Sequence, residues 1–199
     1  MIQVLNCTRD QITEIAVDEA IRRLGLLHPS ARTAIMTMMK DDQGQHPRSL
    51  CTAYRKAGDQ ITKEELKAIG LRASAFMSRE ALADLTDLGL EKPLEAHVDT
   101  LLRSYFTVSR WRSFQATDEL VRQGVSREAI VYKYSMLPPV CDCCNALNGE
   151  PTTPETAHIL APDDCECVTA NYSIQQRIDW FYDLDWPFVK GSITLNTPA

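Results

Sequence analysis

Five of the seven cysteines in this 199-residue chain fall between Cys141 and Cys167, at spacings suited to soft-metal coordination. Cys141 and Cys144, in "VCDCCNALNG", have C-x-x-C spacing, which a tight turn converts into two sulfurs facing one point. Cys165 and Cys167, in "DDCECV", have C-x-C spacing, and on an extended chain residues i and i+2 share a face. Two such pairs about 20 residues apart form a ribbon-like ligand set. Four thiolates at ~2.3 Å close the tetrahedron of a Zn2+ ion, so the zinc expected here is structural and leaves no position for a reacting water.

Other assignments of the thiols stay open at this point. Cys143 makes a second C-x-C with Cys141 and can stand in for Cys144; the C-x-x-C choice is favoured because it is the commoner knuckle and "NALNG" supplies a turn directly after it. His158 can replace one thiolate, and disulfides or unliganded thiols are the structural alternatives. Cys7 and Cys51, each isolated on or near a helical stretch, read as small buried hydrophobes.

Catalytic patterns are missing. A zinc deaminase needs H-x-E with P-C-x-x-C, but Val140 separates Pro139 from Cys141 and none of His28, His46 and His97 begins an H-x-E. H-E-x-x-H, a G-K-[ST] phosphate loop and G-x-S-x-G are likewise absent. The expectation is therefore a protein that is not an enzyme.

Composition narrows the class further. With 44% hydrophobic and 24% charged residues the chain can bury a core, and its length fits one domain or one domain with an appendage. A net charge of -6 argues against a chain-wide nucleic-acid footprint. The start "MIQVLNCTRDQITEI" lacks a basic region followed by an apolar run, and no stretch approaches the ~18 apolar residues of a membrane span. The protein is expected to be soluble, without membrane contact and made in the cytoplasm, where reduced thiols favour metal over disulfide.

Helices must position the cysteines. Thr8 and Gln11 form a capping-box pattern ahead of Ile12, Ile15, Ala16, Ala20 and Leu24, a stripe that Gly25 ends. Ala31, Ala34, Ile35, Met38 and Met39 write a second helix whose methionines belong to the core. Residues 40–49, "KDDQGQHPRS", read as a loop. Short helices are expected near 50–56, 63–69 and 79–88, the last two opened by Thr62 and Ser78 and closed by Gly70 and Gly89. "ITKEEL", "MSREAL" and "VSREAI" are three uses of one hydroxyl cap, too irregularly spaced for a solenoid.

From Leu94 to Gln123 no breaker appears, which predicts one helix of about 30 residues ended by Gly124. Val98, Leu101, Leu102, Tyr105, Val108, Arg112, Ala116 and Leu120 trace its stripe; Arg103, Arg110, Arg112 and Arg122 read as a solvated face, with a phosphate-binding stripe as the lesser alternative. Ile130, Tyr132 and Tyr134 then alternate as a strand that Pro138 and Pro139 stop. The fold class is mainly α: a helical N-terminal region over 1–92, then a long helix, strand and zinc-stapled module with an aromatic tail over 93–199.

Residues 138–169 hold few large apolar side chains, so zinc is expected to supply their folding energy, and its removal to melt that segment while leaving the helices. Tyr172, Trp180, Phe181, Tyr182, Trp186 and Phe188 crowd the tail; they either close the core over the zinc module, the favoured reading, or anchor a partner.

The order of parts resembles the C-terminal segment of the phage Mu F-like minor head protein family: a helix ending in glycine, a strand, "VCDCCNALNG", then "DDCEC". Cys141 and Cys144 match that family's first pair, Leu147 and Gly149 its "l.G", and Cys165 and Cys167 its closing C-x-C; the histidine the family places near Pro162 is absent, and Cys143 is extra. The resemblance covers about 98–168. It implies a virion protein in few copies, part of an oligomeric assembly with portal or capsid proteins, with packaged DNA at most a weak contact. The alternative is a small zinc-ribbon nucleic-acid-binding or regulatory protein.

Overall fold

The structure is a computed structural model and describes residues 4–40, 44–138 and 140–182. The chain is mainly helical, with a small three-stranded sheet and a cysteine cluster at its C-terminal end. Helix α1 (Arg9–Leu24) opens with the expected capping box: Thr8 Oγ1 accepts from the Gln11 N–H while Gln11 Oε1 accepts from the Thr8 N–H. Gly25 ends it at φ 61, a left-handed value that costs glycine nothing. Helix α2 (Arg32–Lys40) buries Ile35, Met36, Met38 and Met39 in the core.

The expected loop gives up residues 47–49 to helix α3 (Pro47–Lys56). Pro47 occupies the first helical position, where its missing N–H would be unpaired anyway, and His46 Nδ1 accepts from the Arg48 N–H. The next helix, α4 (Lys63–Ala68), carries a Thr62–Glu65 capping box. The single helix expected over 79–88 is two: α5 (Arg79–Ala83), capped by Ser78, and α6 (Asp87–Leu90), capped by Thr86. Gly89 closes nothing; a Cβ there would sit 2.1 Å from the Leu26 carbonyl oxygen, so glycine permits a close crossing of two chain segments. Ser126, third of the presumed hydroxyl caps, makes no cap bond and donates to Glu128.

The long helix α7 (Ala96–Arg122) has 27 residues, about 40 Å at 1.5 Å per residue. It packs along α1, touches α2 and α3, and lies across strand β3. Val98, Leu101 and Val108 of the expected stripe are buried and Leu102, Tyr105 and Leu120 half-buried, but Arg112 and Ala116 face solvent. The helix is surrounded on more than one side, so its buried surface also includes His97, Thr100, Arg103, Ser104, Thr107, Arg110, Trp111 and Phe114. His97 meets Asp84 at 3.1 Å, and the Tyr54 hydroxyl donates to the same carboxylate at 2.7 Å, tying α7 to α3 and the end of α5.

Strand β1 (Ile130–Met136) buries Ile130, Tyr132 and Tyr134 on alternate positions, as its pattern requires. It is the middle strand of an antiparallel sheet in the order β2-β1-β3, with β2 at Pro151–Thr152 and β3 at Tyr172–Ile178. Between β1 and β2 lies the short helix α8 (Asp142–Leu147). Among the described residues no helix is long and apolar enough to cross a membrane.

Candidate metal centre

Cys141 is the N-cap of α8 and Cys144 lies in its first turn, so one short helix presents both sulfurs of the C-x-x-C. The chain leaves α8 through Gly149, at φ 81, and returns via β2 and a turn-rich segment to Cys165 and Cys167. Ligand atoms of Cys141, Cys144, Cys165 and Cys167 all lie within 4.8 Å of one another. Sulfurs at ~2.3 Å from a tetrahedral ion stand about 3.8 Å apart, so the four residues fit a metal centre. The sequence expectation named these same four.

Cys144 and Cys165, with sulfurs 3.4 Å apart, are the buried pair, and Cys141 and Cys167 form the half-buried rim. All seven cysteines are unbridged. Neither alternative ligand joins the cluster: the Cys143 thiol turns away to donate to Asp164 at 3.1 Å, and His158 lies exposed with its backbone N–H on the Tyr134 hydroxyl. Cys51 is fully buried and Cys7 half-buried, as isolated small hydrophobes should be.

Backbone donors point into the site. The Cys141 N–H reaches Cys167 Sγ at 3.1 Å. Burial pushes the Cys141 thiol up, but the N–H groups of Cys144 and Glu166 together with bonds to the Cys167 and Cys144 thiols outweigh it and bring it down to about 6. Burial, then the bond to Cys165, drives Cys144 in the opposite direction.

The support behind the cysteines comes from arginines, and the sequence reading placed two of them wrongly. Arg103 and Arg110, expected on a solvated face, are 1% and 0% exposed. Arg103 Nη1 donates to the carbonyls of Cys167 and Val168 at 2.9 and 3.1 Å, while its Nε and Nη2 clasp Glu19 of α1 at 2.9 and 2.7 Å. Arg110 donates to the carbonyls of Ile159, Ala170 and Tyr172 at 2.7, 2.8 and 3.1 Å and stacks 4.1 Å over the Tyr172 ring. Arg23 of α1 adds bonds to the carbonyls of Pro162, Asp163 and Cys165. Burial pulls the Arg110 guanidinium down from its ordinary value; for Arg103 burial acts in the same direction, but Glu19 outweighs it and the net shift is upward.

One signal for these residues was present in the sequence. Arg103 and Arg110 are seven positions apart, hence on one helix face, and Thr100, Ser104 and Thr107 line the same face with side chains small enough for another segment to approach. The tail divides: Tyr172 is a core residue of β3 whose hydroxyl donates to the His158 and Leu160 carbonyls, whereas Trp180, Phe181 and Tyr182 are exposed. Trp186, Phe188 and residues 190–199 lie outside the described residues.

Fold and site define an α-rich protein with a four-cysteine cluster held against its longest helix. Comparison with family models, with curated proteins and with solved structures gives no match.

Proposed function

We propose that the four cysteines hold a structural zinc ion and that the protein is a non-enzymatic minor head component of a virion, acting through contacts with portal or capsid proteins. The observation that carries the metal half is the cluster itself, with Cys141, Cys144, Cys165 and Cys167 converging within 4.8 Å. Charge supports a divalent ion. Four thiolates around Zn2+ leave two negative charges beside three cations, Arg110, Arg103 paired with Glu19 and Arg23 paired with Asp163. With all four sulfurs engaged, no position remains for an activated water, which supports a structural role.

The virion half rests on the order of parts. A long helix, strand β1, a C-x-x-C, Leu147 and Gly149 and a closing C-x-C follow one another here, an order that resembles that of the Mu F-like segment. Zinc here would be held by Cys141, Cys144, Cys165 and Cys167 and would supply folding energy to a segment that buries little apolar surface.

Two measurements test the two halves separately. Metal analysis of the purified chain should find one zinc per molecule, and none in the Cys144→Ser/Cys165→Ser variant. Mass spectrometry of virus-like particles from the source should find this chain at a few to some tens of copies against the major capsid protein; its confinement to the lysate would remove the virion assignment and leave the metal centre standing.

A further inference from the structure

Among the described residues strand β3 has a neighbouring strand on one side only. The hydrogen-bond register shows what its other side offers. The Tyr134 N–H and C=O bond Glu150 and Gly149, toward β2, and the Asp179 N–H bonds the Ala129 carbonyl. With Val131 opposite Arg177 and Lys133 opposite Gln175, the main-chain groups of Ser173, Gln175 and Arg177 face β1. Those of Ile174, Gln176 and Ile178 face outward, without a strand partner among the described residues. An open row of this kind is a template for another extended chain.

Two further observations characterise the guest. On the sheet face turned away from α7, Val131 and Lys133 of β1 and Gln175 and Arg177 of β3 are exposed. Neither Lys133 nor Arg177 has a carboxylate in ion-pair range among the described residues, although the chain as a whole carries a net charge of -6. An unneutralised basic spot on an acidic protein selects an acidic partner. Directly after β3, Trp180, Phe181 and Tyr182 are 72%, 57% and 45% exposed, in a turn where the Phe181 N–H bonds Asp179 Oδ1. They provide aromatic contact area at the end of the open edge.

We infer that the outer edge of β3 receives an extended acidic segment of a partner polypeptide as a fourth strand. Main-chain bonds to Ile174, Gln176 and Ile178 supply affinity, alternate acidic side chains meet Lys133 and Arg177, and the aromatic turn packs on the end of the guest. This surface deepens the assembly reading and rests on it. The test reads binding in solution, so its failure is distinct from absence of the chain from particles.

The full chain is titrated with a blocked heptapeptide in which glutamate alternates with valine, and amide exchange is followed residue by residue. Protection is expected at Ile174, Gln176 and Ile178, with affinity falling as salt rises. Lys133→Glu with Arg177→Glu should weaken binding about tenfold or more, and both residues are exposed, so the fold should survive. Gln176→Pro removes an outward donor while sparing the ladder to β1, and should abolish binding if its melting curve is retained. Equal binding of a lysine–valine peptide overturns the proposal. So does binding of oligothymidylate to this face without protection of the edge. If the outward amides are protected in the free chain and become exposed on truncation after Tyr182, the chain's own tail is the occupant and the proposal falls.

Discussion

In the helical body, α1 and α2 bury Ile12, Ala16, Val17, Ile35, Met38 and Met39 against α7. Between β1 and β3, by contrast, the buried residues are Cys144, Ile159, Cys165 and Ala170, and main-chain carbonyls turn toward three arginines. Apolar area removed from water holds the first region; convergent polar groups and a metal-type thiol cluster hold the second. The difference matters for failure. Losing one methyl from the body changes packing by a fraction of its total, whereas losing one ligand or one guanidinium from the cysteine segment strands every group that faced it.

The largest effect that would sharpen this contrast is loss of the metal centre. Cys144→Ser, or removal of metal by a strong chelator, should raise amide exchange throughout 140–172, with a drop in melting temperature of ten degrees or more expected, on the order of several kcal/mol. Because Arg103 and Arg110 spend their donors on that segment, exchange should also rise in the middle turns of α7, while α3 to α5 stay protected. Melting confined to 140–172 would show that the arginines do not couple the two regions.

Next in size is Arg110→Met, which leaves three buried carbonyls without their donor and should cost about 3 kcal/mol in denaturant unfolding. Arg110→Lys should recover little of this, since an ammonium cannot fork among three carbonyls and stack on Tyr172. Full recovery by lysine would mean that charge alone matters there. In the helical body, Gly89→Ala should cost about 2 kcal/mol, because its Cβ meets the backbone oxygen of Leu26 and not a movable side chain. The same denaturant series measures it.

The smallest effect is a pH dependence at the start of α4. The Thr62 N–H, helped by Arg79, holds the half-buried Glu65 carboxylate below its ordinary value of 4.5. A depressed carboxylate contributes stability above that ordinary value and loses it as pH falls through the folded one. Exchange of the Thr62 amide should therefore rise on acidification below about pH 4.5, and a Glu65→Gln variant should flatten the response.

Legibility in the sequence followed the same division. The capping boxes at Thr8 and Thr62, the end at Gly25 and the alternation of β1 were readable because each is a local pattern with one physical meaning. Strand β3 was missed: Tyr172–Ile178 reads "YSIQQRI", whose polar residues hide the alternation that packing on α7 makes useful. Gly89 was misread for a related reason, since a helix-ending glycine and a glycine at a close crossing look alike until Leu26 is brought beside it.

The sequence by itself singled out the two thiol pairs, because C-x-x-C and C-x-C spacing each bring two sulfurs to one side of a short stretch of chain, although Cys143 and His158 stayed open as ligands. It also determined the long helix that carries their support, by the absence of any breaker across it. Tertiary structure alone decided that Cys143 and His158 stand aside, and that Arg103 and Arg110 face inward. An arginine is buried or solvated according to whether carbonyls and a carboxylate arrive from distant parts of the chain. Here Glu19 and the carbonyls of residues 159–172 do arrive, across separations of about 50 to 85 positions that no local pattern can encode.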